Sequence, residues 1–367
     1  MNIKKAPFLI LIFFSINIYC TAQNPKQAPS LPYLSEDVTY KDNATGIVFG
    51  GTLTLPKPKK PSPAVIIVSG TGKQDKDGTM AGHKMFAVLA DYLTRNGIAV
   101  LRVDDRGVGK TTGNYDEATT GDFAKDVLRS IQFLKTRKEI DHSKIGLIGH
   151  SEGGAVISIV ASQSKDVAFM VSIAGLAMNG LDALRKQNAD LVEAAKIPDH
   201  DKKRSSQINE IMFSTAYKYA DSDSLEQKLN EAYNEWKKKD DEYFKSLNIQ
   251  YDHFRFPIYM YVKQATGPWY RFFVRYDPAC YITKVHIPIL ALNGDKDIMV
   301  AYKENLENWA KYPAEGGNKN VKTIILPGLN HLFLNCTTND QSEYASIKEE
   351  FSPEALKIIS DWILEHV

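Results

Sequence analysis

Ser151 stands at the centre of Gly149-His150-Ser151-Glu152-Gly153, a G-x-S-x-G run. A free hydroxyl is a weak nucleophile at neutral pH, so it needs a backbone that presents it and a base that takes its proton. Residues 144–148 read as a strand and residues 153–162 as a helix, which places the run on a sharp strand-to-helix turn. Such a turn holds the serine in a strained conformation and lifts Oγ clear of the sheet. The flanking glycines let strand and helix approach, and Gly154 adds further room.

The base has to come from elsewhere in the chain. His331 follows a late predicted strand, residues 321–326, and precedes the last predicted helix. His83, His142, His200, His253, His286 and His366 fall in other loops or at the chain end, and His150, beside the serine, points away from Oγ. An acid that orients the imidazole is expected after the preceding strand, where Asn293-Gly294-Asp295-Lys296-Asp297 supplies two. Asp295 suits the turn after Gly294, and Asp297, one step further out, is the preferred acid. Attack on a carbonyl creates an oxyanion that needs preorganised N–H donors. One is the backbone N–H of Glu152 at a helix N-terminus. The other is assigned to Thr71, in Gly70-Thr71-Gly72 after the first central strand. The Glu152 side chain is not needed for that role and reads either as lining the pocket mouth or as solvated.

The elements that must position these residues alternate. Residues 38–41 and 47–55 flank a turn-rich Asp42-Asn43-Ala44-Thr45-Gly46 and predict an antiparallel hairpin. Residues 64–69 (AVIIVS) are a short apolar run, as a strand buried on both faces requires. A helix over 84–96, a strand over 98–103, a helix over 120–136, the strand and helix around Ser151 and a strand over 168–173 follow. This alternation predicts a parallel sheet. Residues 181–247 break the rhythm with three helical patterns and a charge run, Lys237 to Glu242, read as a solvated helix face. The rhythm resumes with strands over 288–292 and 321–326 and helices over 303–310 and 353–366. One α/β domain with a helical insertion at 178–281 accounts for the pattern. The insertion's Trp269, Tyr270, Phe272 and Phe273 read equally as the wall of an acyl pocket and as packing. Arg106, in Asp104-Asp105-Arg106-Gly107, reads as a structural ion pair rather than a carboxylate binder. Asp75-Lys76-Asp77-Gly78 lacks the ligand series of a calcium loop.

The 367 residues carry 45 Lys+Arg against 44 Asp+Glu, a formal net charge of +1, which argues against a general electrostatic grip on nucleic acid or anionic lipid. Lys4 and Lys5, an apolar run over residues 7–19 and Cys20-Thr21-Ala22 predict a secretory signal peptide cleaved after Ala22, hence export to the periplasm or beyond. The run is too short for a membrane anchor. Lipidation at Cys20 is disfavoured by bulky Tyr19. Cleavage leaves Cys280 and Cys336, whose pairing stays open.

Five stretches, SGTGKQDKDG (69–78), LADYLTRNGIAVLRVDDRGVGK (89–110), IGLIGHSEGG (145–154), PILALNGDKD (288–297) and LPGLNHLF (326–333), together resemble a family. The chain is similar to secreted bacterial α/β-hydrolases of the serine carboxylesterase type, near the dienelactone-hydrolase-like and prolyl-oligopeptidase-like branches. The resemblance implies an α/β-hydrolase fold, a mostly parallel central sheet with helices on both faces and a helical cap insertion. It implies a nucleophile at Ser151, an acid at Asp297 and a base at His331, in that chain order. The family's oxyanion element, His-Gly-x, reads Ser69-Gly70-Thr71 here. The expected organisation is a signal peptide (1–22), a linker (23–37), core (38–177), cap (178–281) and core (282–367). The expected function is hydrolysis of small carboxylic esters through an acyl-enzyme, with no cofactor and no metal. A peptidase, with Glu152 meeting a free amino terminus, and a thioesterase would use the same three residues. A non-catalytic binding protein on the same scaffold is disfavoured because all three are present.

Overall fold

Along residues 62–68 every second side chain turns to the same face. Val65 and Ile67 join one apolar cluster, while Ala64, Ile66 and Val68 join another on the opposite side. A strand with two buried faces needs neighbours on both edges and helices above and below it, and the computed structural model supplies both. It describes residues 31–57, 60–338 and 340–367. The predicted signal peptide and Cys20 lie outside the described residues.

The chain opens with strands β1 (Leu34–Lys41), β2 (Val48–Leu55) and β3 (Ser62–Val68). A minimal hairpin, β4 (Thr79–Met80) and β5 (His83–Lys84), leads into helix α1 (Met85–Arg95). Then come β6 (Ala99–Val103), α2 (Thr120–Leu134), β7 (Ile140–His150), α3 (Gly153–Gln163) and β8 (Phe169–Ile173). Six helices follow: α4 (Gly180–Ala194), α5 (Asp199–Tyr219), α6 (Leu225–Ser246), α7 (Ile258–Ala265), α8 (Pro268–Arg275) and α9 (Ala279–Ile282). The chain returns through β9 (Ile289–Gly294), α10 (Tyr302–Glu315), β10 (Val321–Leu326) and α11 (Pro353–Glu365). The main sheet has the order β1-β2-β6-β3-β7-β8-β9-β10. Its pairs are parallel from β6 to β10, and only β1–β2 and β2–β6 run antiparallel. Helices α1 and α11 pack into one of the two clusters, and α2, α3 and α10 into the other.

Parallel strands put all their carboxyl ends on one edge of the sheet. Val68 pairs with Gly149, His150 with Ile173, and Ile173 with Leu292, so the loops after β3, β7, β8 and β9 leave side by side. That alignment is what gathers residues far apart in sequence. Helix α2 starts where Thr119 and Asp122 form a reciprocal capping box, which fixes the helix end beneath the same edge.

Two expectations change. The stretch 23–37 is not linker throughout, because β2 runs on to Leu55 and its end pairs with Leu34, so β1 takes in the last four residues of that stretch, Leu34 to Asp37. The charge run at 237–242 is not wholly solvated. Asp240 is 4% exposed and receives both Nε and Nη2 of Arg204, at 2.7 and 2.8 Å. Arg204 is itself 1% exposed and also donates to Asp252 and Asp201, with the rings of Phe254 and Phe244 over its guanidinium. This buried cation holds the Asp252 carboxyl down at about 2. It ties α5 to α6 and to the loop before α7. Arg204→Ala would leave Asp240 buried without a counter-charge, and a loss of about 3–5 kcal/mol is expected in denaturant unfolding. Arg204→Lys should recover only part of it, since one ammonium cannot make two bidentate contacts. An unchanged midpoint in Arg204→Ala would show that the ion cluster does not hold these helices.

Candidate active site

Ser151 follows the last residue of β7 with φ at +57°, the left-handed region that a residue with a Cβ enters only when its surroundings force it. The forcing contacts are close. A Cβ at Gly153 would lie 2.5 Å from the Val68 carbonyl oxygen, so α3 reaches this distance from β3 only with glycine there. A Cβ at Gly70 would lie 2.7 Å from Ser151 Cβ, so the loop after β3 lies against the serine. The turn therefore projects Oγ from the carboxyl edge of the sheet.

Asp297 and His331 meet above that edge. His331 Nδ1 donates to Asp297 Oδ2 at 2.8 Å. The other oxygen, Oδ1, accepts from the backbone N–H of Met299 and of Val300, at 2.7 and 2.9 Å, so the acid is locked on both sides. With Nδ1 donating, Nε2 is the nitrogen left to accept a proton. Asp295 instead accepts from the Gly328 N–H at 2.7 Å and closes the turn between the loops after β9 and β10. Ser151 and His331 line one cavity, and Ser151 Oγ makes no hydrogen bond to a described residue. Serine–imidazole contacts commonly tighten only when substrate is bound. His150 points to the far side of the turn, and its Nε2 donates to the His331 carbonyl at 3.0 Å. Burial, with the His331 ring beside it, pushes His150 down to about 3, so it stays neutral beside the His331 imidazole.

The backbone N–H groups of Glu152 and Thr71 are taken by no other described residue, which leaves both free to meet an oxyanion. Asp105 holds the Thr71 loop from below. It accepts from Ser69 Oγ at 2.6 Å and from the Gln74 N–H at 2.8 Å, while Gly72 N–H donates to Tyr115 Oη at 2.7 Å. Burial, chiefly, pushes the Asp105 carboxyl up to about 7. Arg106 turns away and forms a two-point ion pair with Asp126, at 2.6 and 2.9 Å.

A family model for the alpha/beta hydrolase fold matches residues 63–334, which takes in every residue just described. The chain belongs to the α/β-hydrolase family. It is 28% identical over 284 residues to Esterase EstD of Thermotoga maritima, covering 77% of this chain. It spans 58% of the length of that relative. Among solved structures, the hypothetical protein PA2218 of Pseudomonas aeruginosa superposes with a TM-score of 0.56 at 16% identity, over 92% of this chain and 95% of that one. Est1E of Butyrivibrio proteoclasticus, solved with ferulic acid, gives 0.52 at 18%, over 90% and 98%. At such identities these two speak for the fold alone.

In this member of the α/β-hydrolase family the cavity over Ser151 has a volume of about 400 Å³. Its floor is Gly70, Thr71, His150, Ser151 and His331, and its apolar wall comes from Leu184, Trp269, Tyr270 and Phe273 of the helical segment, with Leu176 and Val300. Trp269 and Phe273 stack at 4.9 Å between centroids, and Phe273 also belongs to the main core, so these aromatics both line the cavity and pack. The Glu152 side chain is not solvated; it lines the cavity. It is 3% exposed and accepts from Thr71 Oγ1 at 2.7 Å, Thr120 Oγ1 at 2.6 Å and Trp269 Nε1 at 2.8 Å. One carboxylate thus joins the Thr71 loop, the start of α2 and α8. Its place next to the elbow serine was the available signal, because that position must face the carboxyl edge. Among the described residues no three His, Cys, Asp or Glu side chains group as metal ligands, and no helix is long and apolar enough to cross a membrane. Cys280 and Cys336 are free thiols.

Proposed function

We propose that this α/β-hydrolase is a serine carboxylesterase that cleaves small esters through an acyl-enzyme. The observation that carries the reading is a serine at φ +57° sharing one apolar-walled cavity with a His331–Asp297 pair at 2.8 Å. Likeness to an esterase over most of this chain supports it. His331 Nε2 takes the Ser151 proton as Oγ attacks the ester carbonyl, and Asp297 stabilises the imidazolium. The Glu152 and Thr71 N–H groups hold the oxyanion. His331 then returns the proton to the leaving alcohol, and water repeats the sequence on the acyl-enzyme. Export, in this reading, rests on Lys4, Lys5 and the apolar run that ends before Cys20-Thr21-Ala22.

The test is a series of p-nitrophenyl esters from acetyl to octanoyl, beside an aminoacyl anilide and an acyl-CoA. The protein is expected to cleave the shorter esters and neither of the other two. Phe273→Ala and Trp269→Ala should shift the preferred chain length upward, since each added methylene in an apolar pocket is worth about 1–3 kcal/mol. The acetyl ester should stay within about tenfold, roughly 1.4 kcal/mol. Cleavage of the anilide or the thioester alone would overturn the ester reading. An equal fall on every ester would mean that the two rings only hold α8 in place.

A further inference from the structure

The three groups that Glu152 touches, two hydroxyls and an indole N–H, are neutral donors. They satisfy the carboxylate's lone pairs without cancelling its charge. Among the described residues no ion pair includes Glu152 and no Lys or Arg lines the cavity. The nearby cations are committed elsewhere, Arg106 to Asp126 and Lys73 to Asp116. Glu152 therefore lies in the cavity wall, next to the nucleophile, as an uncompensated negative charge in a site largely walled by apolar side chains. Its field reaches its neighbours, since it adds to the burial that raises Asp105. Gln74, which also lines the cavity, keeps Oε1 buried and unpartnered among the described residues. Apolar walls screen such a charge less than open water does.

We propose that Glu152 makes this cavity charge-selective, favouring esters whose acyl group ends in an ammonium and rejecting those whose acyl group ends in a carboxylate. The proposal rests on the ester-hydrolase reading and names its substrate class. A cationic acyl terminus gains attraction to Glu152 and to the partial negative charge on Gln74 Oε1. An anionic one meets repulsion from Glu152 and finds no Lys or Arg side chain in the lining. The neutral alkyl chain falls between them.

Three p-nitrophenyl esters of matched length separate these outcomes: hexanoate, the half-ester of adipate, and 5-(trimethylammonio)pentanoate, each corrected for spontaneous hydrolysis. The wild-type kcat/KM for the cationic ester should exceed that for the anionic one at least about tenfold. In Glu152→Gln that ratio should collapse to within about threefold of unity, whatever common factor the substitution takes from all three. Taking ratios within one variant removes any damage to the Glu152 N–H or to the Thr71 loop. In parallel, Ser151→Ala protein is titrated with hexyltrimethylammonium and with hexanoate, followed by tryptophan fluorescence, and the cation should bind about tenfold tighter. This arm still decides the question if Glu152→Gln does not fold. A wild-type ratio near one or inverted, a ratio unchanged in Glu152→Gln, or equal binding of the two ions would overturn the proposal. If none of the three esters is cleaved, the ester reading fails, and the binding order alone decides charge selectivity.

Discussion

Ser151→Ala should lower turnover by about a millionfold while leaving the thermal midpoint almost unchanged. On the proposed mechanism the loss is large because the serine, the imidazole and the acid act as one unit, and without Oγ no acyl-enzyme forms. Stability should hold because Ala keeps the Cβ, so the packing against Gly70 persists and so does the strain at φ +57°. Ser151→Gly is the informative contrast. It removes the same oxygen but relieves the left-handed conformation, and should raise stability by about 1 kcal/mol. A fluorophosphonate should label the wild type and neither variant. Labelling that survives in Ser151→Ala would place the nucleophile elsewhere.

The second large effect separates two aspartates that stand two positions apart. Asp297→Asn should reduce kcat by about ten-thousandfold with little change in KM. Oδ1 of the new amide can still accept from Met299 and Val300, so the loop stays as it is. The amide NH₂ then faces His331 Nδ1, forces that nitrogen to accept, and moves the proton to Nε2, where it cannot serve as a base. Asp295→Asn keeps an acceptor for the Gly328 N–H and should change kcat by less than about threefold, with any loss showing in stability. Measuring kcat and KM for both on one ester decides between them. A reversed pattern would make Asp295 the acid.

Much of this architecture was legible because parallel strands and their helices have strong signatures. Residues 321–326 form a strand with the limits that their pattern predicts, and α1, α2 and α3 begin within a residue of their apolar patterns. The gathering of Ser151, Asp297 and His331 could be anticipated because a parallel sheet has one carboxyl edge and each residue follows a strand. What escaped was set by partners distant in sequence. Asp240 sits in a run of charges, and nothing local distinguishes it from Asp241, yet Arg204, 36 residues earlier, buries it. The Glu152 side chain was undetermined for the same reason, since its fate depends on Thr71, Thr120 and Trp269. Helices α7 and α8 have eight residues each, too short for a helical period to stand out beside their aromatic content.

The six helices between β8 and β9 leave the sheet and return to it on directly paired strands, Ile173 opposite Leu292. Lengthening such a detour is thermodynamically cheap, since each doubling of a flexible connection adds only about 0.6 kcal/mol of closure entropy. The detour also carries its own apolar nucleus, with Ile208, Met212, Leu229 and Trp236 buried among themselves. Sequence drift within it can then remodel the chamber while the strand ladder that holds Ser151 and His331 keeps its alignment. The molecule is thereby divided into a fixed engine and an exchangeable fitting, which share two adjacent rungs and the packing of Phe273 and Trp269 against the core. On the proposed esterase reading, new preferences could be grafted onto this chain by exchanging residues between those rungs, without rebuilding Ser151, Asp297 and His331.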